Sequence, residues 1–151
     1  YLNKQIMPKI VSKHPKFKLV LTGGGFKDKK FPWLINKGIV SKNDLYNLLF
    51  FSKGLCVPLR FGSGTRIKII EALCLGVTVI SSKKGIEGID LGTINPPYII
   101  NNKNKFVSKT LEIIKQNKKI KNKSIKNKKY YLDKYSMKKI IQKFLNENQI
   151  Q

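Results

Sequence analysis

The stretch that decides the fold is FGSGTRIKIIEALCLGVTVISS, from Phe61 to Ser82. It reads as a turn rich in small residues, then an amphipathic helix, then a continuous apolar strand. The turn GSGT (62–65) places free backbone N–H groups at the start of a helix, and such groups bind anions. Arg66 and Lys68 add positive charge in the first helical turn, and Glu71 follows about two turns from the loop. The arrangement predicts a pocket for a nucleotide or a nucleotide-sugar.

Strand-like and helix-like segments alternate along the chain, which is typical of βαβ units with a parallel sheet. Ser41 is a suitable N-cap for one of the helices, and Asp44 resembles the third residue of a capping box. We therefore predict an α/β fold in which a Rossmann-like parallel sheet is flanked by helices, with extra C-terminal helices. The predicted strands are Phe17–Thr22, Leu34–Val40, Leu55–Leu59, Val77–Ser81 and Pro97–Ile100, and the predicted helices are Leu2–Lys13, Lys42–Ser52, Thr65–Leu75, Phe106–Gln116, Lys119–Lys134 and Met137–Asn146.

The length of 151 residues fits one domain with a real core. We place a Rossmann-like domain at residues 1–135 and a C-terminal amphipathic helix at 136–151, with Ser136 as its N-cap. No apolar run approaches the roughly 18–20 residues that span a bilayer. The chain opens at Tyr1 rather than Met, which is consistent with a fragment or a processed piece.

The net charge is +23, a value that raises nucleic acid or an anionic membrane as a partner. Only Arg60 and Arg66 are arginines among the 31 basic residues. Arginine is the better residue for bidentate contacts to phosphates and bases, so its near absence argues against nucleic acid. Peripheral association with an anionic membrane stays open.

The two cysteines, Cys56 and Cys74, sit in a strand-like and a helix-like apolar run. Neither belongs to a CxxC pair or has a histidine at metal-ligand spacing. We expect two buried free thiols in a reducing cytoplasm, no metal and no cofactor.

Glu71 allows two interpretations from the residues alone. It lies three positions after Lys68 on the predicted helix, so the two side chains can form a surface ion pair. It also follows Gly64 at a distance that brings its carboxylate back toward a bound diphosphate, near the hydroxyls of a ribose. Both interpretations remain open at this point.

Two common nucleotide-binding motifs are excluded. A dinucleotide-binding G-x-G-x-x-G needs a third glycine, but FGSGTRI (61–67) has Ile67 there and TGGGFKD (22–28) has Asp28. A Walker loop needs GKS or GKT, which neither stretch contains.

The run from VLTGGGF (20–26) through IVSKNDLYNLLFFSKGLCVPLRFGSGTRIKIIEALCLGVTVISSKKGIEGI (39–89) resembles a known enzyme family. It is similar to the C-terminal, donor-binding half of family 4 retaining glycosyltransferases of the group 1 type, which have the GT-B architecture of two facing Rossmann-like domains. The order of motifs matches: a strand, a DLY helix, a strand ending in proline, a G-x-GT-R-x-K-x-x-EA helix, a V-x-V-I-S strand and a loop with Gly85, Glu87 and Gly88. Tyr135-Ser136 also resembles the family where it opens the last helix.

The resemblance implies roles for individual residues. Glu71 would bind the ribose hydroxyls of a nucleotide-sugar, Val40 would lie near the base, and the N–H groups around Ser63, Gly64 and Thr65 would hold the diphosphate. Arg66 or Lys68 would replace the basic residues that neutralise the diphosphate in the family. Many members have a second glutamate at the position of Ser63, so this chain departs from the family where the donor sugar is bound.

The resemblance also implies a partner and a reaction. The acceptor site and much of the catalytic apparatus belong to an N-terminal GT-B domain, so no residue here is assigned a catalytic role, and we expect a fragment that is inactive alone. The expected activity is sugar transfer from a nucleoside-diphosphate sugar, in the cytoplasm or at the inner face of the membrane. The alternative is a non-catalytic basic module that binds anionic membrane or polysaccharide.

Overall fold

The computed structural model describes residues 1–24, 31–91, 97–115 and 129–135. Within them, helices and parallel strands alternate in the predicted order, which confirms the α/β class. The helices are α1 (Met7–Lys13, preceded by a π-helical turn over Leu2–Ile6), α2 (Lys42–Phe51), α3 (Ile67–Cys74), α4 (Lys103–Lys115) and a helix over 129–135. The strands are β1 (Leu19–Leu21), β2 (Leu34–Asn36), β3 (Leu55–Val57), β4 (Val79–Ser81) and β5 (Tyr98–Ile99).

The strands form two parallel sheets. In one sheet β1 pairs with β2, with Leu19 opposite Leu34. In the other, β4 lies between β3 and β5. No ladder joins the two sheets in the described part of the chain, and α2 carries the chain from β2 to β3. The carboxyl ends of β3, β4 and β5 therefore lie side by side, and the loops after them form one edge of the molecule.

Strand β4 lies between two apolar clusters. Val79 points into a cluster that contains buried residues of α2, α3 and the helix over 129–135. Its neighbour Ile80 points to the opposite face, into a cluster with buried residues of α1 and α4. All three residues of β4 are buried, as expected for a central parallel strand that is covered on both faces. This packing holds the carboxyl end of β4 in a fixed position.

Some element boundaries differ from the prediction for local reasons. Helix α3 begins at Ile67 rather than Thr65, because Gly64 has φ +84° and Arg66 has ψ +84°, which are not helical values. Strand β2 ends at Asn36, whose side-chain oxygen accepts a hydrogen bond from the N–H of Gly38 in a turn. Helix α4 begins earlier than predicted because the Asn102 side chain caps it, accepting bonds from the N–H groups of residues 104 and 105.

The predicted C-terminal helices are described only in part. The helix over 129–135 overlaps the end of the predicted segment Lys119–Lys134. The predicted helix Met137–Asn146 lies outside the described residues, as does the predicted helix domain over 136–151. No helix within the described ranges is long and apolar enough to cross a membrane.

Candidate functional site

The turn predicted to bind an anion is an exposed loop between β3 and α3. We call residues 61–66 the donor loop. Gly62 and Gly64 have φ values of +115° and +84°, which other residues rarely adopt. Across the described residues, the backbone N–H groups of Ser63, Gly64 and Thr65 donate to no protein acceptor. Free amides at a glycine-rich turn before a helix are the arrangement that binds phosphate groups.

Arg66 folds back onto the donor loop that precedes it. Its Nη1 donates a hydrogen bond to the backbone carbonyl of Ser63. The guanidinium lies so close to Gly62 that a Cβ built there would be 2.7 Å from Arg66 Nη2. The Nε atom is buried and makes no hydrogen bond with any of the residues that the structure describes. Arg66 therefore braces the loop, which sequence reasoning had not foreseen.

Glu71 lies on α3, one face of which is buried by Ile69, Ala72 and Leu73. Its Oε1 accepts a hydrogen bond from the hydroxyl of Tyr46 at 3.3 Å. Lys68 is exposed, and in the part of the chain that the structure describes it forms no salt bridge with Glu71. Of the two interpretations that the sequence left open, the surface ion pair is absent from the structure. Burial raises the pKa of the neighbouring Cys74 thiol, and the negative charge of Glu71 raises it further.

Val40 is half-buried and lies immediately before the first residue of the α2 cap. The Ser41 hydroxyl accepts a hydrogen bond from the N–H of Asp44 at 3.1 Å and donates to its carboxylate at 2.7 Å. This confirms the predicted cap and fixes the start of α2. Tyr46 is on the same helix, so α2 positions both Val40 and the hydrogen-bond partner of Glu71.

Two serines attach the end of β4 to the end of β3 and to the chain that follows β3. The buried Ser81 hydroxyl donates to the carbonyl of Val57 at 3.1 Å, and the Ser82 hydroxyl donates to the carbonyl of Leu59. Gly85 follows in a short 3₁₀ turn, where a Cβ would lie 2.2 Å from Ser81 Oγ. Only glycine fits this approach without movement of the serine. The sequence pattern predicts Ser81 as the end of a strand and indicates no role for either serine.

The loop after β4 also lies next to the donor loop. Gly88 has φ +77°, and a Cβ built on it would lie 3.2 Å from Thr65 Oγ1. The structure thus brings Thr65 together with the glycine-glutamate-glycine loop that the resemblance singled out. Within the donor loop, Arg66 is hydrogen-bonded to Ser63. Glu71 is hydrogen-bonded to Tyr46 of α2.

A cavity of about 700 Å³ opens at the carboxyl ends of β3, β4 and β5. Its lining includes four charged residues, Arg60, Lys83, Lys84 and Glu87, the last two paired at 2.6 Å. None of the seven site residues predicted from the sequence lines this cavity. One signal could have found Arg60 and Lys83: both closely follow strands, and ligands of open α/β sheets bind outside the carboxyl ends of the strands.

The two cysteines are free and partly buried. Burial raises the pKa of the Cys56 thiol to about 12, so this group stays protonated at neutral pH. Over the described ranges, no cluster of three or more histidine, cysteine or acidic side chains is placed to hold a metal ion.

Comparison with known proteins identifies the family. Residues 1–116 match the family model of the group 1 glycosyl transferases. The match covers most of the chain, and it includes the donor loop, α3, β4 and the loop with Gly88. No curated protein matches the chain. The chain belongs to the group 1 glycosyl transferases, and this family makes it a transferase of sugar groups.

Proposed function

We propose that this chain is the donor-binding half of a retaining glycosyltransferase of the GT-B architecture, and that its donor is a nucleoside-diphosphate sugar. The observation that carries the proposal is the exposed donor loop, whose amides at Ser63, Gly64 and Thr65 have no protein acceptor. The family match adds that the chemistry is glycosyl transfer. The diphosphate lies on these amides at the start of α3.

The ribose of the donor lies against Glu71, and the base lies near Val40. Tyr46 orients the Glu71 carboxylate by donating to Oε1, which leaves Oε2 to accept from a ribose hydroxyl. When the sugar leaves, negative charge grows on the diphosphate. The loop amides and the positive end of the α3 dipole stabilise that charge, aided by Lys68, while Arg66 braces the loop that carries the amides.

The acceptor and the remaining catalytic groups come from an N-terminal GT-B domain, and no residue of this chain is given a catalytic role. The proposal places the enzyme in the cytoplasm, at the inner face of the membrane where a membrane-bound acceptor is used. It requires no metal.

The test compares two charge-matched variants by calorimetric titration with UDP, GDP and pyrophosphate. Glu71→Gln removes the carboxylate at the proposed ribose site, and Glu87→Gln removes an exposed carboxylate that pairs with Lys84. Both variants raise the net charge equally, so simple attraction of anions rises equally in both. We expect Glu71→Gln to weaken the preferred nucleotide by about 10- to 100-fold, the effect of one lost charge-assisted hydrogen bond, and to leave pyrophosphate unchanged.

The outcome separates the proposal from its alternative. If Glu71→Gln and Glu87→Gln bind the nucleotide with the same Kd, Glu71 does not hold the ribose. If neither UDP nor GDP binds the unmodified chain while anionic vesicles do, the chain is the basic membrane-binding module instead. Binding of both at separate sites supports the enzyme at the membrane face.

A further inference from the structure

The helix over 129–135 holds the chain segment that follows Gly88. The Tyr131 hydroxyl donates to the carbonyl of Leu91 at 2.9 Å, and the Tyr135 hydroxyl donates to the carbonyl of Asp90 at 2.9 Å. The two tyrosines are one helical turn apart and so lie on one face of the helix. Their rings are stacked, with centroids 6.2 Å apart. Two consecutive backbone carbonyls are therefore held by two phenols from one helix.

Further contacts strengthen this attachment. Tyr131 is fully buried, in the same apolar cluster as Ile89. The Lys134 ammonium pairs with the Asp90 carboxylate. Segment 89–91 is thus held by a buried ring, an ion pair and two hydrogen bonds. We call this set of contacts the tyrosine clamp.

The other end of the clamped segment reaches the donor loop. Ile89 follows Gly88 directly, and a Cβ built on Gly88 would lie 3.2 Å from Thr65 Oγ1, so Gly88 and Thr65 are neighbours with little room for a methyl group between them. A shift of the backbone at 89–91 therefore moves Gly88 toward or away from Thr65. Within the described residues the Thr65 amide donates to no protein acceptor, while its carbonyl accepts a hydrogen bond from the N–H of Ile67 at 3.2 Å.

We propose that Tyr131 and Tyr135 are positioning residues for the donor site: by fixing residues 89–91 they hold Gly88 against Thr65 and aim the donor-loop amides at the diphosphate. This inference rests on the proposed function for the identity of the ligand. Neither tyrosine contacts the donor. Their effect passes through the backbone from Leu91 to Gly88 and across the contact to Thr65.

The test uses variants that keep every ring. Tyr131→Phe/Tyr135→Phe removes the two hydroxyls that hold backbone carbonyls, and Tyr130→Phe removes a hydroxyl that accepts from Lys134. Each variant is titrated with UDP and GDP well below its unfolding temperature. We expect the double variant to weaken the preferred nucleotide about three- to tenfold, and Tyr130→Phe to change it less than twofold. If the unmodified chain binds the nucleotide and the double variant binds it with the same Kd, the inference is overturned.

A second measurement does not depend on the nucleotide. NMR relaxation measures the order parameter of the Thr65 N–H bond. We expect this order parameter to fall in the double variant and to remain unchanged in Tyr130→Phe. Gly88→Ala approaches the same contact from the other side and leaves the clamp intact, so it should disturb Thr65 in the same way. If residues 89–91 loosen while Thr65 keeps its order, the coupling does not exist. If the unmodified chain binds neither nucleotide but Thr65 responds, the donor proposal fails and the coupling stands.

Discussion

The hydroxyl of Tyr46 lies 3.3 Å from Oε1 of Glu71 and joins helix α2 to helix α3. The two residues are 25 positions apart in the chain, and each lies on a helix that contributes apolar residues to the same cluster. Since a carboxylate has two oxygens and accepts several hydrogen bonds, the bond to Tyr46 fixes the direction of the group and leaves capacity for a ligand.

Tyr46→Phe tests this relationship without altering charge. We expect a loss of about 0.5–1.5 kcal/mol in the free energy of unfolding, the usual value of one hydrogen bond. Nucleotide affinity should fall about two- to tenfold, because the Glu71 carboxylate is then free to rotate. Urea unfolding and calorimetric titration measure the two effects. Tyr98→Phe is a suitable control, because Tyr98 lies on β5 beneath Lys109 rather than beside Glu71. Equal affinities for Tyr46→Phe and the unmodified chain would show that Tyr46 only packs.

Gly85 predicts a stability effect that depends on Ser81. A Cβ at position 85 would lie 2.2 Å from Ser81 Oγ and 3.0 Å from the carbonyl oxygen of Val57. Gly85→Ala should therefore destabilise the fold by about 1–3 kcal/mol, the range for overpacking in a close-packed site. Gly24→Ala is the control: its nearest neighbour is an Ile39 methyl carbon at 3.8 Å, so we expect little change. Urea unfolding compares the two variants.

The double variant Ser81→Ala/Gly85→Ala sharpens that prediction. Removal of the serine oxygen clears the shorter of the two contacts. The double variant should therefore lose less unfolding free energy than the two single variants lose together. We expect a favourable coupling of about 0.5–2 kcal/mol in a double-mutant cycle. Strict additivity would mean that the contact with Val57 alone sets the cost.

The buried thiol of Cys56 predicts a loss of stability at alkaline pH. Burial raises its pKa from 9.0 to about 12, so the folded state holds the proton more tightly than the unfolded chain. Stability from this group is complete below pH 9 and is lost as pH rises from about 9 to about 12. Burial likewise raises the pKa of Tyr131 to about 12 from 10.0, which acts in the same direction. Unfolding free energies measured across this range should fall less steeply in Cys56→Ala than in the unmodified chain.

Cys74→Ala is the matched control for that experiment. Cys74 is less buried than Cys56, so its removal should leave more of the alkaline slope. Folded Cys56 should also react with a thiol reagent at pH 8 more slowly than Cys74, because the thiolate is the reactive form. A faster reaction at Cys56 would contradict the burial of its thiol and the raised pKa.

The features that the sequence predicted correctly are those fixed by near neighbours. The Ser41–Asp44 cap and the glycine turn at 62–65 each involve residues within about one turn of one another. Their order along the chain also sufficed for the α/β class, because alternating strands and helices favour parallel pairing.

The features that it missed depend on how distant segments pack. Tyr46 meets Glu71 only because α2 and α3 share a cluster, and Tyr131 reaches Leu91 across 40 positions. No hydrophobic period or motif predicts these two tyrosine contacts, since each joins two elements whose relative placement is set by the whole core. The inward turn of Arg66 is a local exception: its guanidinium fills the space that a side chain at Gly62 would take, which no motif specifies.

Arg66 gives a prediction that separates two roles at the donor loop. If its charge alone neutralises the diphosphate, Arg66→Lys should keep most of the nucleotide affinity and Arg66→Gln should lose it. The structure instead has the guanidinium donating to the carbonyl of Ser63 and packed against Gly62. Lysine has the charge but lacks the planar group that makes this contact.

We therefore expect Arg66→Lys to weaken nucleotide binding by about two- to tenfold, nearly as much as Arg66→Gln, because either change frees the loop. The matched variant Lys68→Gln removes a charge from an exposed side chain close to Arg66. Its loss of nucleotide affinity should be purely electrostatic and should therefore shrink as the salt concentration rises. Titrations at two salt concentrations distinguish the two roles. If the loss of nucleotide affinity in Arg66→Lys persists in high salt, Arg66 acts by holding the donor loop in place. If that loss of affinity disappears in high salt, Arg66 acts through its charge.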